Sequence, residues 1–177
     1  MLQVGQKAPD FNMASTKDLN TLAENVKLSD YAGKWLVLFF YPLDFTFVCP
    51  TEVTGFSDRV SEFHDLGAEV VAVSTDSVYS HRAWIETSRE KNGVGPINFP
   101  LASDITKQVS RDFGVLIEDR GIALRGLFII DPNGVLQYQV VHSLNIGRNV
   151  DEALRVLEAL QSGERCPINW KRGQSHI

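Results

Sequence analysis

Two short runs, residues 35–41 (Trp-Leu-Val-Leu-Phe-Phe-Tyr) and 68–74 (Ala-Glu-Val-Val-Ala-Val-Ser), bracket a stretch of helical spacing, and no other feature constrains the fold as much. The first run is uninterrupted apolar sequence, short enough for a buried strand and too short to cross a bilayer as a helix. Between the runs, Val53, Phe56, Val60 and Phe63 recur three and four residues apart. That spacing predicts one amphipathic helix over 50–66, closed by Gly67. Asp76 or Ser77 then caps a helix running through Trp84 to about Ser88. Strand, helix, strand, helix is a βαβ unit, which requires parallel neighbours and a right-handed crossover.

The second half changes period. Residues 124–130 and 135–141 are β-rich and joined by Asp131-Pro132-Asn133-Gly134, which predicts a turn and an antiparallel hairpin. Val150, Ala153, Leu154, Leu157 and Leu160 mark one face of a closing helix. The fold class is therefore α/β, a central mixed β-sheet flanked by helices. The 177 residues suit one domain, over 1–160, with a C-terminal tail over 161–177. The tail is polar, broken by Gly163 and Pro167, and expected to be mobile unless it docks; it still carries Cys166 and Trp170.

A net charge of −5 argues against nucleic acid or an anionic membrane as partner, because either would need a basic face. Residues 1–7 show no charged-then-apolar leader, so a cytoplasmic location is expected. In that reducing setting, two cysteines point to catalysis or redox sensing rather than a structural staple. They are too few for a structural zinc site, and His64, His81, His142 and His176 are scattered. Each histidine is expected at or near the surface, and no metal or cofactor is expected.

Between the first strand and the first helix stands Tyr41-Pro42-Leu43-Asp44-Phe45-Thr46-Phe47-Val48-Cys49-Pro50-Thr51-Glu52. Pro50 suits the first helical position, where its missing N–H has no intrahelical partner anyway. Cys49 is then expected at or beside the N-cap, facing unpaired amides and the positive end of the macrodipole. Such a setting favours the thiolate, the nucleophilic form. A C-x-x-C pair would put its first cysteine where Thr46 stands, so no neighbouring thiol can close a local disulfide. The Thr46 hydroxyl can instead donate to, or accept from, the sulfur and an oxygen-containing substrate. Free cysteines are also common as inert core residues, and that alternative predicts an unreactive Cys49.

Pro42-x-x-x-Thr46-x-x-Cys49 resembles the peroxiredoxin signature, and residues 45–52 are similar to the typical 2-Cys branch, the alkyl hydroperoxide reductase C type. Further matches recur in order: Ala8-Pro9-Asp10-Phe11, Ser74-Thr75-Asp76-Ser77, His81-x-Ala83-Trp84, Phe99-Pro100-Leu101-x-Ser103-Asp104, residues 124–131, and Gly163-Glu164-x-Cys166-Pro167. The resemblance implies a thioredoxin-like fold with Cys49 as the peroxidatic cysteine and Cys166 as the resolving cysteine, normally supplied by the partner subunit. It places Pro42, Thr46 and Arg125 on the remaining active-site positions, and Arg148 with Glu52 as residues that organise the site. Taken alone, Arg125 reads better as an exposed strand arginine, and only the resemblance lifts it.

The resemblance further implies a hydroperoxide substrate, thioredoxin or a dedicated flavoprotein as reductant, and at least a homodimer. Phe45, Phe47, Val78, Tyr79 and Trp84 match the region that joins dimers into a decamer in this family, and equally suit a core. The expected cycle takes Cys49 thiolate to sulfenic acid, condenses it with Cys166 of another chain, and reduces the disulfide with an external dithiol. Disulfide geometry needs Cα atoms within about 7 Å, so the first turn around Cys49 is expected to unwind in each cycle. The alternative from another class is a peroxide sensor or holdase chaperone using the same thiol as a switch. Hyperoxidation-sensitive members carry Gly-Gly-Leu-Gly where this chain has Asn92-Gly93-Val94-Gly95, and they end in Tyr-Phe rather than at Ile177. Both departures lead to an expectation of resistance to over-oxidation.

Overall fold

In the computed structural model, which describes residues 1–177, an antiparallel pair, β1 (Asn12–Ser15) and β2 (Asn25–Lys27), precedes the central strand β3 (Trp35–Phe40). Two helices, α1 (Cys49–Asp58) and α2 (Val60–Asp65), return the chain to β4 (Ala68–Ser74), parallel to β3. Helix α3 (Val78–Glu86) leads to β5 (Leu101–Ser103), parallel to β4. The short α4 (Gln108–Asp112) and a small hairpin, β6 (Leu116–Ile117) with β7 (Ile122–Ala123), follow. Antiparallel β8 (Arg125–Ile130) and β9 (Leu136–His142) then complete the sheet, and α5 (Val150–Ser162) packs over it. The sheet order is β2-β1-β5-β4-β3-β8-β9. The mixed, helix-flanked sheet expected from the sequence is present, and no helix is long and apolar enough to cross a membrane.

Alternation explains why β3 reads as uniformly apolar. Val37, Phe39 and Tyr41 enter a core under the helices, with Val53, Phe56 and Phe63 of α1 and α2 and Leu154 and Leu157 of α5. Leu36, Leu38 and Phe40 enter a second core on the opposite face, with Met13, Val26, Phe113 and Phe128. A strand covered on both faces has no polar side to show. Phe39 stacks on Phe56 at 4.5 Å between centroids, which fixes α1 over the strand that precedes it.

Several expectations hold to within a residue or two. Ser77 caps α3, its side chain accepting from the Ser80 amide. In the Asp131-Pro132-Asn133-Gly134 turn, Gly134 sits at φ +77°, which its missing Cβ permits, and its amide returns to the Asp131 carbonyl.

Other expectations are corrected. The helix expected over 50–66 is two helices, broken at Arg59, where φ −117° and ψ 12° leave the helical region. Phe56, Val60 and Phe63 keep their spacing across the break, so periodicity could not reveal it. His81 is fully buried rather than near the surface. Arg125 is 3% exposed, not an exposed strand arginine. Trp84 belongs to the core, whereas Phe45, Phe47 and Tyr79 are exposed. The tail docks: Trp170 is 3% exposed.

Candidate active site

The carboxyl end of β3 lies inside the sheet, between β4 and β8, where α1 starts over it and β8, running antiparallel, begins beside it. This is where open α/β sheets place their ligands. Cys49 is the first residue of α1 and Pro50 the second, one place later than expected but still in the first turn. Val48, the N-cap, offers no side-chain hydrogen bond, so no side-chain oxygen competes for the first amides of the helix. The Cys49 sulfur is fully buried.

Arg125 opens β8 and reaches across the strand pair. Its Nη1 donates to Cys49 Sγ at 3.3 Å and to Glu52 Oε1 at 2.6 Å, while its Nε donates to the Leu144 carbonyl at 2.7 Å. Arg148, from the segment between β9 and α5, closes on the other side of Glu52. Its Nε donates to Glu52 Oε2 at 2.6 Å, its Nη2 to Oε1 at 3.0 Å, and its backbone amide to Oε2 at 2.9 Å. Arg148 Nη1 meanwhile donates to the carbonyls of Phe40 and Gly126, at the ends of β3 and β8, and the guanidinium lies 5.0 Å from the Phe39 ring centroid. One charged group thus ties together both strands and the start of α1.

Charge balance gives this cluster its chemistry. Burial works against the Glu52 carboxylate, but the hydrogen bonds and charge of Arg148, with Arg125, overcome it and hold the carboxyl below the ordinary glutamate range. Two guanidinium groups and one carboxylate leave a buried surplus of one positive charge, and Arg125 directs it at the sulfur. A thiolate at Cys49 brings the cluster to neutrality. Because uncompensated buried charge is costly, the site is matched to an anionic sulfur.

Thr46 is half-buried, and its hydroxyl donates to the Leu43 carbonyl at 2.8 Å. That commits its proton and leaves its lone pairs free to accept. Pro42 is buried at the start of the same loop. The seven residues singled out in the sequence therefore divide. Cys49, Glu52, Arg125 and Arg148 are in direct contact, Pro42 and Thr46 shape the loop before Cys49, and Cys166 lies apart. Its sulfur is near Ser162 Oγ at 3.4 Å and the Ala159 carbonyl at 3.8 Å, at the carboxyl end of α5, and both cysteines are free thiols.

Sequence reasoning missed the network that holds the loop. Asp44 accepts from the Tyr41 hydroxyl at 2.7 Å and the Ser80 hydroxyl at 2.8 Å, and lies 2.8 Å from His81 Nδ1. The other ring nitrogen of His81 meets the Ala102 carbonyl at 3.0 Å, and the Asp44 amide donates to Asp76 at 2.9 Å. Burial, then the neighbouring Asp44 charge, raise both Tyr41 and Asp76 from their ordinary ranges. The signal was present: His81, Trp84 and Ile85 fall at i, i+3 and i+4 on α3 and share its buried face. Beyond this network, Phe45 adopts φ +56°, and the Asn92 side-chain amide holds its carbonyl at 3.3 Å.

Residues 4–139 match the model of the AhpC/TSA family. The chain is 57% identical to the chloroplastic 2-Cys peroxiredoxin BAS1 of Spinacia oleracea over 98% of this chain and 67% of that protein. It is 54% identical to peroxiredoxin tpx1 of Schizosaccharomyces pombe over 99% of this chain and 93% of that one. Among solved structures, the reduced 2-Cys peroxiredoxin of Plasmodium vivax superposes with a TM-score of 0.95 at 41% identity, covering 99% of this chain and 93% of that one.

Proposed function

We propose, because this chain belongs to the AhpC/TSA family and is a peroxiredoxin, a thiol-dependent peroxidase, that Cys49 is its peroxide-reactive sulfur and Cys166 of a partner subunit its resolving thiol. The observation that carries this reading is the buried surplus positive charge that Arg125 turns toward the Cys49 sulfur at 3.3 Å.

The steps follow from the residues. Cys49 thiolate attacks one peroxide oxygen, the O–O bond breaks, and the departing oxygen takes a proton to leave as water or alcohol. The sulfur is left as sulfenic acid. Arg125 and the free amides at the start of α1 stabilise charge on the departing oxygen. Thr46, its proton committed to Leu43, accepts a hydrogen bond from the peroxide and aligns it. Pro42 walls the pocket without offering a donor. Glu52 and Arg148 fix Arg125 in place. The Cys166 thiol of the partner then displaces water from the sulfenic acid to form an intersubunit disulfide, and thioredoxin or a similar dithiol, or a flavoprotein disulfide reductase, returns both thiols.

The two cysteines sit at opposite helix ends, which supports dividing the roles this way. Cys49, at the start of a helix, faces a guanidinium, whereas the Cys166 sulfur points at carbonyl oxygens. A homodimer is the smallest assembly that supplies the second thiol. The exposed Phe45, Phe47 and Tyr79, with half-buried Val78, form a surface suited to joining dimers into a decamer.

One peroxide equivalent per chain should convert the reduced protein to a covalent dimer on non-reducing electrophoresis. Cys166→Ser should give no such dimer, consume one peroxide per chain, and lose thioredoxin-driven turnover. Undiminished turnover in that variant would remove Cys166 from the cycle.

A further inference from the structure

Both anchors of the guanidinium beside Cys49 trace to the irregular segment between β9 and α5. Leu144 offers the carbonyl that receives Arg125 Nε at 2.7 Å, and Arg148 holds Glu52, the other partner of Arg125. The segment also runs close to the start of α1, since a Cβ on Gly147 would lie 3.5 Å from Val48 Cγ1. Two hydrogen bonds close the turn in which Leu144 sits. The Ile146 amide donates to the Ser143 carbonyl at 3.2 Å, and the Ile146 carbonyl lies 3.3 Å from Nδ1 of His142. A carbonyl only accepts, so Nδ1 carries the hydrogen and donates it. His142 ends β9 directly opposite Arg125, the first residue of β8. Cross-strand partners share one face of a sheet, so the half-buried imidazole stands on the Arg125 side, next in line after Tyr138 and Val140. There it borders a cavity of about 60 Å³ whose wall includes Arg148 and Glu152.

We propose that His142 is a positioning residue for the peroxide step: its Nδ1–H holds the Ile146 carbonyl, and the turn so fixed aims the Leu144 carbonyl at Arg125 and Arg125 at the Cys49 sulfur. The proposal rests on the reactive role given to Cys49 above. A guanidinium is a rigid planar fork, so its direction is set by where its acceptors stand. Glu52 and the sulfur both take Nη1, whereas Leu144 takes Nε. With the turn loose, the Nε anchor drifts, the fork rotates about Glu52, and Nη1 leaves the sulfur. The thiolate and the departing oxygen then both lose a fixed cation.

The test is the second-order rate constant with hydrogen peroxide, measured across pH by stopped flow on the reduced full-length protein. His142→Phe keeps a ring but no donor. It should slow peroxide consumption about fivefold, the ratio for one net hydrogen bond of about 1 kcal/mol at about 1.4 kcal/mol per decade. Its pH profile should also move toward higher pH, because the thiolate is less favoured. His142→Asn places a side-chain amide where Nδ1 stood and should recover the wild-type rate to within about twofold. Alkylation of Cys49 by iodoacetamide, in a Cys166→Ser background, follows the same thiolate without peroxide and should slow in step in His142→Phe. A residue serving stability alone would lower the melting temperature and leave the pH profile in place. An unchanged rate and profile in His142→Phe, or an asparagine variant as slow as the phenylalanine one, overturns the proposal. If wild-type Cys49 consumes no peroxide while alkylation still slows in His142→Phe, the peroxidase reading falls and the positioning of the sulfur through His142 stands.

Discussion

Peroxide consumption should vanish in Cys49→Ser and fall by about 10²- to 10³-fold in Arg125→Leu, measured as the second-order rate constant with hydrogen peroxide in stopped flow. Serine keeps the shape of the site but lacks the sulfur nucleophile. The Arg125 effect follows from charge. Wild type holds two guanidinium groups against one carboxylate, so an anionic sulfur completes a neutral buried set. With leucine at 125, Glu52 and Arg148 already neutralise one another, and a thiolate would become an uncompensated buried anion. The departing peroxide oxygen would also lose its fixed cation. Lysine should rescue little, because it cannot hold Leu144, Glu52 and the sulfur at once as the guanidinium does. A wild-type rate in Arg125→Leu would mean that helix amides alone activate the sulfur.

The second large effect is on stability. Glu52→Gln should lower the free energy of unfolding by about 3–5 kcal/mol at neutral pH, since removing one partner of a buried ion cluster strands the others. Few domains can lose that much and remain well folded, given total stabilities of about 5–15 kcal/mol. The effect has a pH signature. The folded Glu52 carboxyl is held below its ordinary range, so its stabilisation is complete above the unfolded value of about 4.3 and disappears as pH falls through the lower folded value. Glutamine does not titrate, so the gap between wild type and variant should narrow as pH drops below about 4. Urea unfolding of both proteins at pH 7 and under acid conditions measures it. A gap of the same size at both would show that the loss comes from packing rather than charge.

Much of this site could be read from the chain because its signals are local. The apolar run before Cys49, the proline after it and the threonine three residues earlier all lie within one short segment. The strands β3, β4, β8 and β9 likewise follow from runs that burial makes apolar. The strands at the other side of the sheet were hidden. β1, β2 and β5 are three or four residues long, and the pair β1 and β2 joins the sheet only through β5, remote in sequence. The break at Arg59 was hidden too, because it depends on a guanidinium reaching Glu62 and, across the fold, Asp151. Arg125 and Arg148 could be singled out only by resemblance. A strand arginine shows its burial only when the sheet closes around it, and neither residue carries a spacing that announces Glu52 as the group between them.

Val48, which caps α1 with nothing but backbone, has an effect beyond the reactivity of the neighbouring sulfur. A serine or aspartate there would stitch the helix start shut while occupying the amides an incoming oxyanion needs. In the cycle proposed above, leaving that seam unsewn would make the opening turn both a cradle for negative charge and a hinge that comes loose at small cost. One omitted hydroxyl would then couple the appetite for peroxide to the freedom of the sulfur to swing out afterward.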